Sequence, residues 1–220
     1  MASTAARADF EVETSERSLG YNLPQRMGIR LWFPMFLMAL MFFGAGMALG
    51  VIRADEIGDG GAADTIERLR HLQAGFMFLG FTAVFSAISF AIARILGQFR
   101  AGGGEIQEAA GRPVQTLRMP VTAKLFLGLM AAAMMTIVAA VVLHFVFAAD
   151  VASTEASLGD SEERFLVLEG IRRAAVAVFL FGILLGLATI IRVLRFQATR
   201  MRELPRAVGM RELPGETPRA

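Results

Sequence analysis

The chain contains no cysteine. Disulfides, thiolate zinc sites, iron-sulfur ligation and a cysteine nucleophile are therefore all excluded, and nothing about the redox compartment can be read from it. Lysine is nearly absent too, since Lys124 stands alone among 22 basic residues. The most informative lack is of charge along four stretches, 31–52, 72–93, 125–149 and 174–191, which hold no Asp, Glu, Lys or Arg. Each reaches the roughly 18 residues a helix needs to cross a hydrocarbon core about 30 Å thick. The helices of a soluble bundle would show a polar outer face every three to four residues, whereas these segments are apolar all round.

What is present agrees with a membrane setting: 55% of the residues are hydrophobic and the mean hydropathy is +0.54. The fold class expected is all-α, an integral membrane four-helix bundle with both termini cytoplasmic. A polar arm over 1–30 precedes a first hairpin over 31–97, with spans 31–52 and 72–96 and an acidic outer loop over 53–71. A cytoplasmic loop over 98–123 leads to a second hairpin over 124–197, with spans 125–149 and 174–194 and an acidic outer loop over 150–173. An arginine-rich tail, expected to be disordered, fills 198–220. The arm is mixed in charge and no small-residue cleavage site follows the first apolar stretch, so an uncleaved helix is expected rather than a signal peptide.

Charge distribution sets the orientation. The arm, central loop and tail hold sixteen of the 22 basic residues, whereas the two outer loops hold six, against eleven carboxylates. That asymmetry places the arm, loop and tail inside. The arginine-for-lysine bias suggests a bacterial inner membrane.

Within the central loop, Gly102, Gly103 and Gly104, then Gly111, Pro113 and Pro120, predict a short surface helix over 105–110 between breaks. The outer loops end in charged runs, 65–70 and 161–173, expected to extend spans two and four as helices beyond the membrane. The exits of the two hairpins match: Ile92, Ala93, Arg94, Ile95 and Leu96 resemble Ile190 to Leu194. A duplicated hairpin would produce this, as would shared membrane constraints. Met-Arg-Glu-Leu-Pro occurs twice in the tail, starting at Met201 and Met210.

Small residues fall in stripes suited to close helix packing: Gly46 and Gly50, then Ala83, Ala87 and Ala91, then Gly182 and Gly186. No Asp, Glu, Lys or Arg lies within the four apolar stretches, which argues against a proton-coupled transporter, a pump, a voltage sensor or an intramembrane aspartyl protease. Walker A, HExxH and Gly-x-Ser-x-Gly motifs are missing as well.

Two constellations remain. The only histidines, His71 and His144, fall near the same outer face, as two axial ligands of a haem b would, with Arg70, Arg172 and Arg173 at the level of its propionates. The bland alternative is two amphipathic interface residues. Met35, Met38 and Met41 recur at helical spacing, and Met130 and Met134 make an MxxxM step. Soft thioethers suit Cu(I). MxxxM on one helix with Gly-x-x-x-Gly on another resembles the pattern of Ctr-type copper transporters, although those have three spans and the likeness covers only these positions. Methionine is also an ordinary filler of apolar helices. The leading expectation is a non-catalytic subunit or accessory protein of a membrane complex. Its partners would be the lipid bilayer and other membrane subunits or copies of itself, and not nucleic acid.

A cysteine-free chain reports its own topology. Introduced singly, A62C and A156C are expected to react with an impermeant maleimide on intact cells and A109C only after permeabilisation; the opposite pattern would invert the orientation.

Overall fold

A computed structural model describes residues 10–15 and 19–207, with side chains to 202. Among the described residues, the regular structure is helical apart from a two-stranded ribbon. In order it runs β1 (Val12–Ser15), α1 (Leu23–Gly58), α2 (Ala63–Ala109), β2 (Val114–Leu117), α3 (Val121–Asp150) and α4 (Glu155–Ala207). All four helices are long and apolar enough to cross a membrane. At about 1.5 Å per residue, the 47 residues of α2 extend roughly 70 Å, more than twice the hydrocarbon thickness. Both α2 and the 53-residue α4 therefore carry stems past the apolar layer. The first expected span and second half of the repeated tail motif differ in status: the span lies within α1, whereas the repeat at Met210 and residues 1–9 fall outside the described residues.

Local chemistry fixes the helix ends. Asn22 caps α1 reciprocally: its side chain accepts from the Gln25 amide at 3.1 Å, and Gln25 Oε1 accepts from the Asn22 amide at 3.0 Å. The turn into α2 places Gly60 at φ +73°, a left-handed conformation that glycine adopts without a Cβ penalty. Gly111, at φ +67°, ends α2 in the same way.

One expectation fails at the C-terminal end of α2. The glycine triplet predicts a break, yet the helix runs unbroken through Gly102, Gly103 and Gly104 to Ala109. Packing overrides the weak helix propensity of glycine. Gly104 is buried, and a Cβ at Gly103 would run into the Gln197 side chain from α4. Beyond the triplet, Gln107 holds the ribbon to the helix: its Nε2 donates to the carbonyls of Gly103 at 2.9 Å and Gln115 at 3.1 Å, and its Oε1 accepts from the Gln115 amide at 2.9 Å. β2 then pairs antiparallel with β1, from Val12 opposite Leu117 to Ser15 opposite Val114. The sequence reading contained neither strand.

Successive helices alternate in direction, but they do not contribute equally. The continuous apolar core is built from Phe78, Phe85 and Ile92 of α2, Phe126, Met130 and Ile137 of α3, and Leu168, Ala175 and Phe179 of α4, with smaller α3 residues between. No α1 residue belongs to it. Instead α1 lies along α2, whose other sides meet α3 and α4. Lipid supplies no hydrophobic drive for this docking, so it depends on close van der Waals approach at small residues. Gly46 abuts Met77, Gly50 abuts Gln73, and Gly80 of α2 receives the Phe43 ring. At Gly28 a Cβ would lie 2.6 Å from the Phe90 carbonyl oxygen and 2.9 Å from the Arg94 nitrogen. Those are backbone atoms, which cannot swing aside.

Gly28→Val is thus expected to destabilise the protein by about 1–3 kcal/mol through overpacking. Gly44→Ala, where a Cβ meets nothing within 4 Å, should leave the thermal midpoint in detergent unchanged or slightly higher. Equal midpoints for the two variants would contradict the docking of α1.

Candidate functional site

The N-terminal ends of α2 and α4 and the C-terminal end of α3 converge on the two histidines. His71 enters from α2 and His144 from α3, and both are fully buried. Their rings meet directly, Nδ1 to Nδ1, at 3.0 Å. On its other side, His71 Nε2 lies 3.0 Å from Ser161 Oγ of α4. That hydroxyl donates to Glu67 Oε1 at 3.3 Å, and the same carboxylate oxygen pairs with Arg70 at 3.2 Å. Glu67 and His71 are one turn apart on α2, the i,i+4 spacing that brings side chains together. Rings of Phe78, Phe147 and Phe165 stand edge-on around the imidazoles at 4.9–6.1 Å between centroids.

The donors and acceptors form one consistent chain. Because the Ser161 hydroxyl gives its proton to Glu67, it accepts from His71 Nε2–H. With both rings neutral, His71 Nδ1 is then the bare acceptor and His144 Nδ1–H the donor. His144 Nε2 is left as a lone pair, and it is buried without a hydrogen-bond partner. Ser161 also lines a polar cleft of about 260 Å³ together with Asp150, Ser157, Asp160 and Arg164. Glu67, Ser161, His71 and His144 thus form a hydrogen-bonded line from beside a polar cleft to a blind end among aromatic rings.

No protein family, curated protein or solved structure matches the chain.

The geometry bears on each residue singled out from the sequence. His71 and His144 are brought together, their rings in direct contact as a hydrogen-bonded pair. The arginines expected to meet propionates are engaged by carboxylates of their own helices: Arg70 by Glu67, and Arg172 and Arg173 by Glu169. Arg70 also stacks 3.9 Å above the Phe165 ring, and Arg172 lies 5.0 Å from that of Phe78.

Met130 and Met134 face α2, where their sulfurs accept from Ser89 at 3.0 Å and Ser86 at 3.9 Å respectively. The methionines of α1 lie elsewhere, with Met38 and Met41 exposed on its outer side. The two groups therefore do not converge on one ion, and among the described residues no cluster of three or more His, Asp or Glu could hold a metal. Of the small residues, Gly46 and Gly50 face α2, Gly182 faces Met130, and Gly186 faces Phe126 and Ile92. Ala83 and Ala87 are buried and Ala91 is half-buried.

Sequence reasoning missed Glu67 and Ser161. Glu67 carried a signal in its spacing from His71; Ser161 carried none, because only the fold brings α4 beside α2.

The hydrogen bond between the rings makes their contributions interdependent. H71L and H144L are each expected to cost about 1–3 kcal/mol, since each leaves a buried polar partner unsatisfied. The double variant should cost less than the sum by at least about 0.5 kcal/mol. Additive losses in reversible unfolding in detergent would show that the rings do not share a bond.

Proposed function

We propose that this protein is a non-catalytic four-span subunit or accessory protein of a bacterial inner-membrane complex, with its termini in the cytoplasm. The observation that carries the reading is the closed interior. Phe85 and Phe179 stack at 4.7 Å between centroids across α2 and α4, and Phe78, Ile137 and Phe179 are almost wholly buried around them. Hydroxyls within the spans bond to carbonyls of their own helices: Thr82 to Phe78, Ser86 to Thr82, Ser89 to Phe85, Thr136 to Ala132 and Thr189 to Leu185. Such an interior serves a scaffold better than a conduit, because a polar solute crossing it would have to replace those bonds.

Two surfaces are suited to partners. One is the outer face of α1, where Phe33, Phe36, Leu40, Met41 and Met47 are exposed and only α2 backs the helix. The other is the outer stems of α2 and α4, which rise beyond the apolar layer and are held in place by the histidine line. The matching hairpin exits support descent of the two halves from one hairpin, although α1 has become peripheral.

Extraction of the tagged protein in mild detergent is expected to bring down a stoichiometric membrane partner. Recovery as a lone, monodisperse species from cells that express it natively would overturn the reading.

A further inference from the structure

A second cavity lies at the opposite end of the molecule from the histidines. About 270 Å³ in volume, it is enclosed by the inner ends of all four helices and roofed by the ribbon. That is close to the lower bound of small-molecule pockets. Its lining changes character with depth. Ala123, Phe126, Leu127 and Val193 form largely apolar walls within or beside the expected spans, interrupted by Thr189, whose hydroxyl is already bonded to Leu185 and Thr122, whereas Arg100, Thr116 and Glu13 lie at the ribbon end, cytoplasmic in the orientation proposed above. Apolar at depth and polar at the interface is the profile of an amphiphile standing in the membrane with its head at the surface.

Two features point to the charge of that head. Thr116 lines the cavity, is 4% exposed, and its hydroxyl is buried without a hydrogen-bond partner. A buried hydroxyl normally finds an acceptor, and an unmet one is costly. Arg100 is only half-buried at the same end, where its guanidinium can form charge-assisted bonds to phosphate or carboxylate. The inner ends of the helices are basic generally, with Arg94, Lys124, Arg192 and Arg195 at this level. Basic pockets between spans on the cytoplasmic side are suited to anionic headgroups.

We propose that this cavity binds an acyl-chain amphiphile with an anionic head, its chain between Phe126 and Val193 and its head against Arg100 and Thr116. Glu13 at the rim disfavours a second negative charge and so favours a singly charged head. Either a phospholipid or a free fatty acid supplies this chemistry.

Native mass spectrometry of the full chain in mild detergent tests it, with added phosphatidylglycerol, phosphatidylcholine of the same chains, and oleate. Wild type is expected to retain phosphatidylglycerol or oleate at least about fivefold better than phosphatidylcholine, the effect of one arginine facing an anion. Stronger retention of oleate would assign the site to a fatty acid, and of phosphatidylglycerol to a phospholipid. R100Q and T116V should each reduce that preference without changing retention of phosphatidylcholine. V193W, which fills the chain end, should abolish one bound equivalent. Equal retention of the charged and zwitterionic lipids by wild type, or a preference unchanged in both R100Q and T116V, would overturn the proposal. Those two variants decide the matter even where V193W fails to fold.

Discussion

A polar group in a bilayer has no water to fall back on, so its hydrogen bonds must be found within the protein. Most of the span hydroxyls here meet that demand locally, by bonding one turn back along their own helix. An imidazole cannot do so with both nitrogens. His71 and His144 therefore look across helices, and each draws a second element into place. The bond between the rings fixes α2 to α3, and the bond from His71 to Ser161 fixes α4 to both. Glu67 then anchors the hydroxyl and Arg70 anchors the carboxylate. This polar line ties together three helices that otherwise pack mainly through apolar side chains, with further polar contacts where Thr189 meets Thr122 and Gln197 meets the Phe99 carbonyl.

The same constraint explains the unequal roles of the helices. α2 carries His71, the glycines and alanines that admit close neighbours, and the aromatic rings of the core, and it consequently touches every other helix. α1 has no polar tie of this kind within its span. It docks on α2 through Gly28, Gly46 and Gly50 and leaves its far side to lipid or to another protein. At the opposite end of the bundle a different device operates: Gln107 binds the ribbon to α2, and the ribbon in turn lines the second cavity. The molecule thus has a rigid three-helix body, one lateral helix and a polar fastening at each end.

Much of this was legible in the sequence, and the reasons are specific. Charge-free stretches of 18 or more residues reveal apolar helices because the bilayer imposes a length as well as a composition. The charged runs before spans two and four read as helical extensions, and Ala63–Ala109 and Glu155–Ala207 include them. The histidines stood out because there are only two, but spacing in sequence carries no information on whether rings touch or sandwich a ligand. Gly102 to Gly104 misled, since a glycine's weak helix propensity is visible locally while the Gln197 contact that uses its missing side chain comes from a residue 94 positions later. The ribbon was hidden for a similar reason: Val12–Ser15 and Val114–Leu117 are too short to show alternation, and each is a strand only because the other is present.

The hydrogen-bonded histidine line is the claim on which the rest depends, and nitrogen-15 NMR of histidine-labelled protein in lipid nanodiscs tests it most directly. The account predicts two different neutral tautomers, His71 protonated at Nε2 and His144 at Nδ1, with a scalar coupling across the hydrogen bond between the two Nδ1 atoms and slow exchange of the shared proton with water. Two imidazoles of the same tautomer, uncoupled and exchanging rapidly with solvent, would contradict it.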